Sequence, residues 1–275
     1  MNTYRAELMV ISRRTSTWVL LGVMLLMTVL FAYVLPYASA DSESAPGWAQ
    51  SISDLLPQNL VPNLVEGMPF YLGMISLVLG AMALGSEFNW KTLKTTLLQT
   101  SSRGEVVASK FAALVSMVGV FAVANLVVAG ICSVAVGLLE SQDLAAPPLD
   151  DLVLGLGAAW LILSLWAVFG ALLATLTRGT AMAIGLGVLY GFLVEGLLGR
   201  FVTDINGLGD LSYAFLRTNA YSLIHGLGAA PAASGEPGAF DGPFVGTWQA
   251  LAVILVYIAG FAGLTGVLFS RRDVN

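Results

Sequence analysis

Few side chains among these 275 residues could do chemistry, and one polar stretch carries a cluster of bases. Between Gly85 and Lys110, in GSEFNWKTLKTTLLQTSSRGEVVASK, Lys91, Lys94, Arg103 and Lys110 stand against only Glu87 and Glu105. Leu93, Leu97 and Leu98 recur at helical spacing beside Lys94 and Thr96, which predicts a short amphipathic helix over residues 89–100, ended by Ser101-Ser102-Arg103-Gly104. Such a segment is a handle. It offers apolar side chains to dock on something and bases to steer the docking, and it holds no nucleophile or acid–base pair.

The other candidates are solitary. His225 is the single histidine and Cys132 the single cysteine, so neither a disulfide within the chain nor a His/Cys metal set can be assembled. His225 reads as an interfacial side chain and Cys132 as a small packing residue. No catalytic, cofactor-binding or metal-ligating constellation emerges. Without a Gly-Lys dipeptide there is no phosphate-cradling loop, so the chain does not hold ATP itself. Glu195 is the one acid inside a long apolar run, where a charge is costly unless solvated or paired; a solvated or Arg200-paired carboxylate near the membrane surface is expected ahead of a proton relay or substrate contact. Gly185, Gly187 and Gly191 include a small-xxx-small pair that permits close helix approach, and both pathway lining and plain helix packing fit them.

The elements that must carry these residues are membrane spans. With 57% hydrophobic and 11% charged residues, and a mean hydropathy of +0.83, the chain cannot cover a globule in water. A net charge of −5 argues against nucleic acid. Uncharged runs predict spans at 18–37, 67–86, 111–139 and 244–270. The apolar stretch 152–198 is about 70 Å long as one helix, more than two bilayers, and must turn back at Thr177-Arg178-Gly179-Thr180. That gives spans at 152–177 and 179–198. The first span is too long for the core of a cleaved signal peptide, although Ala38-Ser39-Ala40 fits a cleavage site. Before it, in segment 1–16, Tyr4, Leu8 and Ile11 share a helical face while Arg5 and Glu7 point elsewhere, which predicts a helix lying on the membrane surface. Residues 38–66 and 140–151 read as outer loops. Residues 199–243 form a longer outer region, with a short interfacial helix or helix pair over 210–227. Trp18, Trp48, Trp90, Trp160 and Trp248 read as interface anchors.

Charge tests this topology. With both termini inside, ten of the twelve bases and only four of the seventeen acids fall on the inner side, so about +6 faces about −11. The segment 87–110 is then cytoplasmic. The expectation is a single all-α transmembrane domain over 1–275 in a cell membrane, with six helices.

The chain also resembles a known family. Glu87, Thr92, Lys94, Arg103 and Lys110 are similar to the pattern that follows the second membrane helix of ABC-2-type ABC transporter permeases, with Lys91 where the family has glycine. The entry Glu7, Arg14, Trp18 and the ending Phe269-Ser270-Arg271-Arg272-Asp273 resemble the family's termini. The resemblance implies a type V exporter-like permease whose coupling helix, here 87–110, docks on separate ATPase subunits. Glu87, Trp90, Lys91, Thr92, Leu93, Lys94, Leu97, Arg103 and Lys110 are its implied coupling residues. It implies two ATP-binding and Mg-binding partner subunits, a second permease copy (identical or not), membrane lipid around it, and room for an accessory extracytoplasmic protein. It implies export of an amphipathic or lipid-like molecule such as a drug, lipid or antimicrobial peptide. Some relatives serve metal-centre maturation or ion extrusion instead. The rival classes are a non-transporting membrane scaffold and a secondary transporter, although the first four spans carry no charge for ion coupling.

Overall fold

A computed structural model describes residues 2–40, 51–90, 103–142, 144–198, 209–229, 240 and 243–271. Every described element is helical: α1 (Asn2–Arg13), α2 (Thr15–Ser39), α3 (Leu60–Glu66), α4 (Gly73–Trp90), α5 (Arg103–Leu139), α6 (Leu149–Thr177), α7 (Thr180–Leu189), α8 (Leu216–His225) and α9 (Thr247–Arg271). Short 3₁₀ turns at Ile52–Leu55, Pro57–Asn59 and Gly209–Ala214 complete the described elements, with π-wound segments at Leu30–Val34, Met68–Leu72 and Tyr190–Leu198.

Five stretches are long and apolar enough to cross a membrane: Thr15–Ser39, Met68–Ser86, Gly104–Leu139, Leu149–Thr177 and Thr247–Phe269. The segment expected as a fifth of six spans is a shorter apolar helix, Thr180–Glu195, which passes from α-helical into π-helical winding at Tyr190. At 37 residues α5 is about 55 Å long, well beyond the roughly 30 Å of hydrocarbon. Its excess length carries it past the hydrocarbon without a break, and near its start Val106, Val107 and Lys110 are buried.

The core is built around α6. Its middle is apolar on every side, with Ile162, Leu163, Leu165, Trp166, Ala167 and Ala171 all fully buried. The tightest packing is α4 against α6, and small residues make it possible. A Cβ on Gly80 would collide with the carbonyl of Ala167, and one on Gly170 with the carbonyl of Leu77, so the two backbones touch. Ser76 Oγ donates to the Leu163 carbonyl at 2.7 Å across the same seam. By contrast α9 is largely exposed along its length, with Trp248 83% and Val256 70% accessible, as suits a helix facing lipid. The turn between α6 and α7 closes on Arg178, whose left-handed φ of 55° ends the helix.

Proline explains how the outer part of α2 is held. Pro36 has no N–H for the Ala32 carbonyl one turn back. Asn63 of α3 supplies the donor instead, its Nδ2 reaching Ala32 O at 3.2 Å. The π turn at Leu30–Val34 adds a residue to the winding, so that Thr28 and Tyr33, five apart, both turn inward. Thr28 Oγ1 then meets Asn125 Oδ1 of α5 at 2.6 Å, deep in the bundle.

Replacing Gly80 with leucine should lower the thermal midpoint of the detergent-solubilised protein, at a cost of at least about 1–3 kcal/mol for overpacking. Gly185→Ala should leave it unchanged, since nothing lies within 4 Å of a Cβ there. Fluorescence-detected size-exclusion after heating reads both.

Candidate functional site

The end of the bundle that carries α1 holds the residues expected to couple. Lys91, Thr92, Leu93, Lys94 and Leu97 lie outside the described residues. Glu87 and Trp90 sit on the last turn of α4 and Arg103 opens α5, with only their backbones described. The end of α4 and the start of α5 are thus described, and so is Lys110.

Lys110 is buried against α1. Its Nζ lies 2.7 Å from Glu7 Oε1, with the two side chains 5% and 12% exposed. The sequence reading placed Glu7 away from the packed face of α1; the structure turns it inward with Tyr4, Leu8 and Ile11 because a cation waits there. Around this pair Tyr4 Oη and Ser116 Oγ are 2.9 Å apart, and Thr3 Oγ1 donates to Glu105 at 3.5 Å. At its other end α1 is fixed by its last carbonyls. Thr17 Oγ1 donates to Ile11 O at 2.8 Å and Trp18 Nε1 to Ser12 O at 2.7 Å. Arg14, in the corner between α1 and α2, donates from Nη1 to the Met82 carbonyl of α4 at 2.9 Å. Helix α1 is therefore tied to α5 through Glu7, and the corner that follows it is tied to α4 through Arg14, while α4 and α5 touch little among the described residues.

The opposite end holds Glu195, and it corrects an expectation. The carboxylate is neither solvated nor a surface group: it is 8% exposed and accepts from Tyr190 Oη at 2.7 Å, from Leu216 N at 2.6 Å and from Arg217 N at 2.9 Å. The last two are the first amides of α8. The residue before that helix is Phe215, whose side chain cannot cap, so Glu195 caps it from another element and meets the positive end of the helix dipole. Arg200 lies outside the described residues. The Arg217 guanidinium is buried over the Phe70 ring, 4.7 Å from its centre, and 5.6 Å from that of Tyr221. Phe70 in turn meets Phe192 edge-on at 4.8 Å. Helix α8 is tied on from its other side by Val245 N donating to Ser222 Oγ at 3.0 Å, and the turn before it by Tyr257 Oη donating to Ala214 O at 2.6 Å.

Of the glycines, Gly187 faces Leu77 and Gly191 faces Met74, both on α4, while Gly185 has no neighbour where a side chain would stand. His225 is exposed with its ring 4.5 Å from Phe244. Cys132 is partly exposed, and the described residues contain no cluster of three or more metal-ligating side chains. Sequence reasoning missed the roles of Glu7, Arg14 and Arg217. The one available signal was a lone acid in α1 that had to be satisfied somewhere.

The family model described as ABC-2 family transporter protein matches residues 1–274. No curated protein matches the chain.

Removing one member of the buried pair, as in Glu7→Gln or Lys110→Met, should destabilise by about 3–5 kcal/mol, and Glu7→Met with Lys110→Met should cost markedly less. Thermal midpoints of the three variants test this. Glu195→Gln should place an amide against two N–H donors and speed hydrogen exchange across 216–225, leaving α1 unaffected.

Proposed function

We propose, because this chain belongs to the ABC-2 family of transporter proteins, that it is the membrane-spanning permease of an ATP-driven transporter whose ATPase subunits are separate chains. Two permeases, identical or not, pair with two ATPases that bind ATP and Mg; lipid surrounds the pair, and an accessory extracytoplasmic protein is a further partner in the same arrangement. Six passes, with Thr180–Glu195 and its π-wound continuation as the fifth, put both termini, α1 and the 87–110 hairpin in the cytoplasm of a cell whose membrane holds the chain. The positive-inside balance supports that orientation.

One observation carries the mechanism: α1 and the corner after it grip the helices on both sides of segment 87–110, through Glu7–Lys110 on α5 and Arg14–Met82 O on α4. Closure of the ATPases pushes on 87–110. Without α1 the push would bend a tip between two legs that barely touch. With it, displacement of the tip passes into α4, α5 and, through the α1–α2 corner, α2. The far end answers through Phe70, which begins the α4 limb and touches both Arg217 of α8 and Phe192 beyond α7. Motion of α4 therefore reaches the outer cap that Glu195 holds.

The substrate we propose is amphipathic or lipid-like, moved outward, since the described surfaces of α2, α7 and α9 are apolar over most of their length. Service to metal-centre maturation or ion extrusion is the alternative within the family. Ion-coupled secondary transport fits less well, because both oxygens of the buried Glu195 are engaged by donors of the same chain. A scaffold without transport would have no use for a clamped hairpin.

Purification of the tagged chain from its host in mild detergent should bring down a P-loop ATPase with activity in the eluate. Charge reversal at Lys91 and Lys94 should uncouple that activity from transport while leaving membrane insertion intact. Recovery of the chain with no ATPase, or full coupling in the reversed variant, would sink the docking role.

A further inference from the structure

The outward side of α1 is built differently from the side that packs on α5. Arg5, Met9 and Arg13, at i, i+4 and i+8, form one exposed stripe, with Ala6 and Val10 beside it. Met9 is 50% and Val10 46% accessible, whereas on the other side Ile11 is buried and Tyr4 and Leu8 are partly buried. The only acid of α1, Glu7, is turned to the opposite side and bonded to Lys110, so the exposed stripe carries positive charge alone. The depth of the helix is fixed independently. Trp18, in the first turn of α2, keeps its ring half exposed while its Nε1 holds the Ser12 carbonyl at the end of α1. An indole so placed marks the boundary between hydrocarbon and headgroups, and α1 leaves α2 at that level.

We infer that the stripe Arg5, Ala6, Met9, Val10 and Arg13 binds the anionic headgroups of the leaflet in which α1 lies. Met9 and Val10 enter the acyl boundary, and the two guanidiniums at either end reach to phosphates. The pattern fits a lipid surface better than a soluble protein. Two bases frame a narrow apolar centre with no acid and no aromatic anchor, and both bases share one side of a helix running from a membrane-boundary tryptophan. The role does not depend on an ATPase partner. It makes the grip of α1 on the hairpin sensitive to the charge of the surrounding bilayer.

The test uses the full chain in nanodiscs, with the sole native cysteine removed (Cys132→Ser) and a bimane attached at Ala6→Cys. Doxyl-labelled phosphatidylglycerol and doxyl-labelled phosphatidylcholine are compared as quenchers at equal amounts. An arginine at an anionic surface is worth about fivefold, so the glycerol lipid should quench at least several-fold more efficiently at low salt. Arg5→Gln with Arg13→Gln should bring the ratio to about one, while Arg271→Gln with Arg272→Gln should leave it unchanged. Equal quenching by the two lipids with the arginines intact would overturn the inference, as would a preference that survives the loss of Arg5 and Arg13. Quenching by aqueous iodide but by neither lipid would also overturn it, and would turn the stripe toward a soluble protein.

Discussion

A polar group inside this molecule gains its partner from within the protein, because the medium around most of it offers none. That constraint decides where the chain bends and what holds the bends. Pro36 frees the Ala32 carbonyl, and Asn63 is brought from α3 to meet it. Helix α8 begins after a phenylalanine that cannot cap, and a glutamate from the preceding limb is brought to its amides. Lys110 stands on the buried side of α5, and a helix lies across it carrying the matching acid. In each case a local deficit is made good by a residue remote in sequence, and the repair is what fixes one element to another.

The two ends of the bundle use the same device for different purposes. At the α1 end the paired charges and the Arg14 contact fix α1 and the corner after it to α5 and α4. At the other end the carboxylate, the guanidinium over Phe70 and the aromatic contacts seat a short helix over the bundle, and the seat is made of π-wound segments at Met68–Leu72 and Tyr190–Leu198. Such winding is less well packed than an α-helix and is common where a protein works.

The long spans were legible because run length is a one-dimensional property: an uncharged stretch of 20 residues reads the same before and after folding. The chain reversal at Arg178 was legible for the same reason, since no helix of that length fits a bilayer. Glu7 was not, because periodicity alone places it beside Arg5 on a polar side; only Lys110, 103 positions on, explains why it turns inward. The solvated carboxylate expected at Glu195 is corrected on a similar ground, and a pairing with Arg200 lies outside the described residues. A lone acid in an apolar run suggested water or Arg200, and nothing in the sequence joins it to the amides of Leu216 and Arg217. The passage from α to π winding at Tyr190 also escaped, because the apolar pattern there suits either. Partnerships across long sequence separation are the part that local patterns do not carry.

The backbone contact between α4 and α6 has a kinematic meaning. Where Gly80 meets Ala167 and Gly170 meets Leu77 there is no side chain to slide or re-rotamerise, so these two helices form a single plate. Any aqueous opening through this protein must therefore form along the plate's borders and not through its middle. The helices packed against the plate are α5, α7 and α9, and α5 and α9 carry long runs of exposed apolar side chains. The seam that stays shut thus determines where a second subunit would have to stand for the two together to enclose a channel.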